Sequence, residues 1–295
     1  MHKDIGEYLE ALKTALQGAD PATIQDALSD AEEHLALALE REEASGTQAP
    51  FSAVVAEYGS PDEVAAAYRE LESRTPVSFY PPAAPRDGRP SFWKRFLGVA
   101  VDLRAYAALF YLFASLALGV LYFTIAATGL SLSLGLIVLI VGLPFLVGFL
   151  IAVRGIAVVE GRIVEALLGV RMPRRPVFVR KGLAWHRRIG VLFSDRSTWT
   201  AILYLVLMMP LGIVYFTAAL VLLVFSFTFL ASPLLLGVIG LPLGEIGGRC
   251  YFVPDWALPL CTIGGALLFI LTLHFAKWIG GVHGRYAKAM LVRSS

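Results

Sequence analysis

Few residues of this chain have types and spacings suited to chemistry. Glu32-Glu33-His34 joins two carboxylates to an imidazole, the donor types of a metal site. Adjacent helical residues point about 100° apart, and no HExxH or CxxC pattern completes the set, so a solvated or partner-facing stripe is the better reading. Cys250 and Cys261 make no disulfide framework. Two readings stand for them: pairing on an oxidising exterior, or small packing residues in apolar segments. His274 lies near the end of an apolar run beside Lys277 and Trp278, where an interfacial imidazole is expected. Gly247-Gly248 is loop punctuation, and neither a P-loop nor a GxSxG elbow occurs. No cofactor and no metal are implied.

The elements that must position these residues are dominated by apolar chain. Ala105 to Val153 is a run of 49 residues without Asp, Glu, Lys or Arg, long enough to cross a bilayer and return. Its expected reversal is Thr128 to Leu134, where Gly129, Ser131, Ser133 and Gly135 interrupt the aliphatic residues. Ser197 to Gly244 is a second uncharged run, and its start repeats the first. At an offset of 93, Tyr111, Leu112, Leu118, Gly119, Tyr122, Phe123, Thr124 and Ala126 fall on Tyr204, Leu205, Leu211, Gly212, Tyr215, Phe216, Thr217 and Ala219. Eight identities in sixteen positions exceed what shared apolarity gives, so the membrane part is built from two related units. At an offset of 123, Val159, Gly161, Arg162, Ala166 and Leu168 likewise correspond to Val282, Gly284, Arg285, Ala289 and Leu291, and each unit is expected to end in an interfacial helix.

Composition supports this division. The 295 residues are 57% hydrophobic with mean hydropathy +0.68, a polytopic membrane protein with room for one small soluble domain. The net charge of +2 conceals a split: residues 1–75 hold 16 acids and 5 bases, whereas 76–295 hold 7 acids and 20 bases. The first 90 residues contain no apolar signal-peptide core. A carrier or intramembrane enzyme usually places ionisable groups at mid-bilayer, and neither uncharged run has an Asp, Glu, Lys or Arg, which weighs against proton-coupled transport and hydrolysis.

Residues 1–75 read as an all-helical domain. Ile5, Leu9, Leu12 and Leu16 mark one helix, and Ile24, Leu28, Ala31, Leu35 and Leu39 a second, opened by Asp20-Pro21. Phe51, Val54, Val55 and Tyr58 mark a third, which Gly59 ends. Ser60-Pro61-Asp62-Glu63 forms a capping box for a fourth, through Val64, Ala67, Tyr68 and Leu71. These residues carry a resemblance. Tyr8-Leu9-x-x-Leu12, Asp30-Ala31-Glu32-Glu33-His34-Leu35 and Tyr58-Gly59-Ser60-Pro61-Asp62-Glu63-Val64-Ala65 resemble the HAAS signalling domain, with the Ala44 to Ala49 connection longer than expected for it. The resemblance implies a small helical cytoplasmic domain associated with PadR-type transcriptional regulators.

Residues 76–91 read as a proline-rich, semi-rigid linker. Phe92-Trp93-Lys94-Arg95-Phe96 is a juxtamembrane anchor. Residues 154–196 carry ten Lys or Arg against three acids, so this stretch is expected to stay cytoplasmic, with Trp185 to Arg188 anchoring it to the bilayer. Arg174, Arg175, Arg187, Arg188 and Trp278 complete the expected membrane-surface anchors, and topology rather than nucleic-acid binding explains the basic charge. The spans expected are about 105–128, 133–153, 199–222 and 256–276, with apolar 223–243 as a re-entrant or outer segment and both termini cytoplasmic. Gly142-Leu143-Pro144, Glu160-Gly161-Arg162, Leu167-Leu168-Gly169 and Trp199 to Thr217 within 92–295 resemble the bacterial sensor transmembrane domain.

The fold class is therefore all-α: a small helical domain plus a polytopic membrane domain of two related units, about four spans and interfacial helices. The function expected is non-enzymatic signalling from the bacterial inner membrane to a cytoplasmic regulator. The acids Asp26, Asp30, Glu33, Glu40 and Glu63 are the expected partner contacts, by attraction to a basic regulator or to the chain's own loop. Homo-oligomerisation is left open. A membrane subunit of an exporter or permease is the alternative, motivated by the internal repeat.

Overall fold

The computed structural model describes residues 4–44, 51–74, 92–136, 142–173, 195–240, 242, 244–246, 249–251 and 254–292. The expectations for the linker 76–91, for Arg174, Arg175 and Trp185 to Arg188, and for Gly247-Gly248 lie outside these residues.

Each helix of the N-terminal domain is set by its terminal residues. Asp4 opens α1 (Ile5–Ala15) by accepting the Glu7 amide at 2.8 Å, which satisfies an otherwise orphan donor. Asp20 Oδ1 accepts the Ala22 amide at 2.9 Å at the start of α2 (Pro21–Ala44), where Pro21 gives up no needed N–H. Gly59, at φ +111°, ends α3 (Phe51–Tyr58) in a conformation that a side chain would strain. The capping box forms before α4 (Pro61–Arg74): Glu63 Oε2 accepts from the Ser60 amide and hydroxyl at 2.9 Å each, and the Glu63 amide donates to Ser60 Oγ at 3.4 Å.

Helix α1 packs against α2 and α4, and α3 against α2. The core joins Ile5, Tyr8, Leu12 and Leu16 to Ala27, Ala31 and Leu35, with Val54 and Ala65 closing it. On α4 the buried position is Ala65 rather than Ala67, and Leu71 is 48% exposed. The run Ala65-Ala66-Ala67 is equally apolar on every face, so periodicity alone could not choose among its members. Tyr8 is the centre of the domain. Fully buried, it donates to the Gly59 carbonyl at 2.9 Å, and its ring meets Tyr58 edge-on at 6.1 Å. Burial, with Tyr58 and Glu63 close by, pushes its phenol up to about 12.

Helix α5 (Phe92–Leu97) and a 3₁₀ turn lead into α6 (Leu103–Leu136), followed by α7 (Gly142–Leu168), α8 (Arg196–Leu230) and α9 (Leu258–Leu291). The last four, with α9 counted from Asp255, are long and apolar enough to cross a membrane. A π-helical segment (Pro233–Val238) and an antiparallel hairpin, β1 (Gly244–Ile246) paired with β2 (Arg249–Tyr251), lie between α8 and α9. All other regular structure among the described residues is helical, as the all-α reading requires.

Three boundaries differ from expectation. The reversal expected at Thr128 to Leu134 lies inside α6. Ser133 keeps its hydroxyl satisfied within the helix by donating to the Gly129 carbonyl at 2.6 Å, and at Gly129 the Phe149 ring occupies the space of a side chain. The third span continues past Leu222 to Leu230, so the first third of the ambiguous 223–243 segment is simply more of α8. The interfacial helix expected at the end of each repeat is no separate element, since α7 runs unbroken to Leu168 and the tail is likewise continuous with α9. A backbone that satisfies its own hydrogen bonds has no reason to break where charges first appear.

The chain divides into two compact units. One comprises Met1–Pro81, Gly129–Tyr204 and Arg285–Ser295; the other comprises Pro82–Thr128 and Leu205–Gly284.

Candidate functional site

Two aspartates each stand one residue before a long helix. Asp102 Oδ1 accepts the Arg104 amide at 3.1 Å, and its Oδ2 accepts Lys277 Nζ at 2.6 Å. Asp195 Oδ1 accepts the Ser197 amide at 3.0 Å, and its Oδ2 accepts Arg154 at 2.7 Å. Asp102 and Asp195 are 93 residues apart, and Arg154 and Lys277 are 123 apart, the two offsets of the internal repeat. In both cases the first helix of one repeat is fastened to the second helix of the other. Arg154 also donates to Thr198 Oγ1 at 2.8 and 3.1 Å. Its side chain is 12% exposed and that of Asp195 8%, so each offsets part of the cost of burying the other. Arg154 is therefore not the loop cation expected of it. At Asp102 partial burial opposes ionisation. The hydrogen bonds from Lys277 and the Arg104 amide, and the charges of both residues, outweigh it and hold the carboxyl below its ordinary value.

Nine residues beyond each aspartate is a tyrosine. Tyr111 Oη lies 2.6 Å from His283 Nε2, and Tyr204 Oη donates to Glu160 Oε1 at 2.8 Å. Glu160 and His283 are again 123 residues apart, and all four side chains are fully buried. Tyr215 approaches the other face of the first pair, its Oη 3.4 Å from His283 Nδ1 and its ring perpendicular to the imidazole. Tyr286 stacks on Tyr204 at 5.5 Å. Each repeat thus supplies a phenol whose buried partner comes from the other repeat, a carboxylate in one case and an imidazole in the other. Such pairs can hold a proton and register two helices.

The repeats also meet through backbone. A Cβ built on Gly119 would stand 2.5 Å from the Met208 carbonyl oxygen, and one on Gly212 would stand 2.3 Å from that of Ser115. Ser115 and Met208 are themselves 93 apart, so the contact is reciprocal, as small residues allow in membrane helices.

The expected site residues separate into several environments. Asp26 is 7% exposed, a correction to its reading as a surface acid. Ala22, Thr23, Asp26 and Ala27 are all buried, so the start of α2 is covered on two sides where an amphipathic pattern predicts one. Asp30 accepts from the Tyr68 hydroxyl, and burial together with this bond raises that phenol. Glu63 belongs to the α4 cap, whose bonds from Ser60 hold its carboxyl below the ordinary value. Glu33 and Glu40 are exposed. Glu33 lines an open cleft of about 430 Å³ with Asp30, His34, Leu37 and Tyr58, in which the His34 and Tyr58 rings lie 4.8 Å apart. Acids outside the expected set fasten this domain to the membrane helices. Asp20 pairs with Lys288 near the end of α9, and Glu72 with Arg171 just beyond α7 at 3.9 Å.

Among the anchors, Trp93, Lys94 and Trp278 are exposed, and the Arg95 side chain lies outside the described residues. His274 stacks on Phe96 at 5.3 Å, its Nε2 3.1 Å from the Phe96 carbonyl, so it joins α5 to α9. Cys261 is a free thiol. No group of three or more metal-ligating side chains gathers among the described residues. The buried stations escape a reading of the uncharged runs, because Asp102, Arg154, Glu160, Asp195 and His283 all lie outside Ala105 to Val153 and Ser197 to Gly244. Carrying the offset of 93 back to Asp102, and the offset of 123 over Arg154 and Glu160, would have found them.

The fold and these stations define a class: a membrane domain of duplicated helix pairs that exchange partners, with a small helical domain fastened to it by ion pairs. Over residues 111–291 the chain matches the family model Sensor, described as "Putative sensor", and over 7–67 the HAAS family model. The first match covers more than half of the chain, and the protein belongs to the Sensor family, with a HAAS domain at its N-terminus. No curated protein and no solved structure matches it. It is a membrane protein with a role in sensing and signalling, and neither family is an enzymatic one.

Proposed function

We propose that this protein is a non-enzymatic signalling protein of the bacterial inner membrane. Its membrane domain responds to an envelope or bilayer condition, and residues 1–75, tethered by 76–91, pass that state to a basic cytoplasmic regulator of the PadR type. Both termini lie in the cytoplasm in this reading, which the excess of Lys and Arg in 154–196 and after Lys277 supports. The observation that carries it is the pair of ion contacts, Asp20 with Lys288 and Glu72 with Arg171. They give a displacement of α7 or α9 a direct path into the acidic domain. Exposed Glu33 and Glu40 lie on the surface that a basic regulator would meet.

The test is titration of purified PadR-type regulators from the same organism against the full-length protein in nanodiscs. Saturable binding that weakens with salt and is lost in Glu33→Lys/Glu40→Lys supports the reading. Binding to none of them, or binding that charge reversal leaves unchanged, refutes it. Substrate-dependent flux in proteoliposomes would instead favour the permease reading that the duplicated unit also suggests.

A further inference from the structure

The two repeats build their buried stations alike except in one respect: where the first supplies Glu160, the second supplies His283. The difference matters because the two acceptors respond oppositely to a proton. A carboxylate that gains a proton still has an oxygen able to accept from Tyr204. An imidazole that gains one has no acceptor left. Tyr111 Oη stands 2.6 Å from Nε2 and Tyr215 Oη 3.4 Å from Nδ1, so in either neutral tautomer one ring nitrogen is left to accept from a phenol. Among the described residues, two phenols from other helices face the ring, Tyr111 from α6 and Tyr215 from α8. On its own helix Tyr286 stands three residues beyond and Lys277 six residues before. A second ring proton makes both nitrogens donors, so the phenol that was donating must turn its hydrogen away, and a fully buried cation replaces a neutral ring.

We propose that His283, between Tyr111 and Tyr215, is a proton-binding site of the membrane domain, and that its protonation loosens α9 from α6. The stimulus it names for the sensing role is acidification, and in that respect it rests on the reading above; the site itself does not. Lys288, five residues further along α9, bonds Asp20, so the loosened helix carries the change towards the acidic domain.

Hydrogen exchange of the full chain in nanodiscs, corrected for intrinsic rates, tests this at about pH 7.5 and about pH 5. In the wild type the opening equilibrium over residues 277–291 is expected to rise with acid, by up to about tenfold per pH unit. His283→Gln retains an acceptor and cannot take the proton, and His283→Glu reproduces the chemistry of the Glu160 station; both are expected to abolish the rise. Tyr111→Phe, which removes the hydroxyl, is expected to show the looser exchange already at about pH 7.5 and little further response. No rise in the wild type, or an equal rise in His283→Gln or Tyr111→Phe, overturns the proposal. Regulator binding is scored separately: a pH response without binding refutes the signalling reading alone, and binding without a pH response refutes the proton site alone.

Discussion

Replacing Gly119 by alanine tests the reciprocal crossing of α6 and α8 more sharply than any other substitution. The new Cβ would stand 2.5 Å from the Met208 carbonyl oxygen and 3.0 Å from both the Met208 carbonyl carbon and Met209 Cα, where ordinary contact begins at 3.4 Å. All three atoms are backbone within a continuous helix, so no rotamer change relieves the overlap, and the two helices must part by about 1 Å. Overpacking of this kind costs about 1–3 kcal/mol. Gly212→Ala meets the Ser115 backbone at 2.3 Å and is expected to cost at least as much. Gly264 supplies the control, because no atom lies within 4 Å of a Cβ there. Gly264→Ala is expected to be neutral or stabilising by up to about 1 kcal/mol. Once one alanine has parted the helices, the second meets less resistance, so Gly119→Ala/Gly212→Ala should cost less than the sum of the single changes. Unfolding in mixed micelles by increasing SDS, followed by tryptophan fluorescence, measures all four variants. A Gly119→Ala protein as stable as Gly264→Ala would refute the close approach.

Tyr8→Phe keeps the ring in the core but leaves the Gly59 carbonyl without its donor, a loss of about 1–3 kcal/mol that hydrogen exchange over α1 and α4 of the full chain would report. Ser60→Ala removes the reciprocal cap of α4 and should cost about 1 kcal/mol, confined in the same experiment to the first turn of that helix. Because its carboxyl is held below the ordinary value of 4.5, Glu63 contributes stability that is complete above that value and is lost as pH falls through the lowered one. The α4 start should therefore fray in acid in the wild type, and less so in Glu63→Gln. Thr198→Val removes one acceptor of the buried Arg154 while Asp195 remains, so it should destabilise by about 1–3 kcal/mol in the SDS assay.

Much of this architecture is legible in the sequence because its signals are redundant. The caps at Asp20-Pro21 and Ser60 to Glu63, the glycine at 59 and the stripe on α1 each reach the same boundaries independently. The repeat shows itself through tyrosines and glycines for a physical reason: Tyr111, Tyr204, Gly119 and Gly212 are residues that touch the other repeat's helices. What failed were inferences in which one signal stood for two properties. A glycine- and serine-bearing stretch reads as a turn, but in an apolar helix glycines permit close packing and serines satisfy their own hydroxyls, as at Gly129 and Ser133. Charge does not imply exposure: Asp26, Arg154, Asp195 and Glu160 are all buried or nearly so, and Arg154 meets Asp195, and Glu160 meets Tyr204, from a distant part of the chain. Such partners are separated by 41 and 44 residues and leave no local periodicity. Only the repeat offsets relate them.

The central claim is that the acidic helical domain is held to the membrane helices by Asp20 with Lys288 and Glu72 with Arg171. Hydrogen exchange across residues 4–74 of the full-length protein in nanodiscs, compared between wild type, Lys288→Glu and Arg171→Glu, tests it directly. Loss of protection in the first turn of α2 in Lys288→Glu and in the last turn of α4 in Arg171→Glu, with the Tyr8 core unchanged, is the predicted result. Identical exchange in all three proteins would contradict the account.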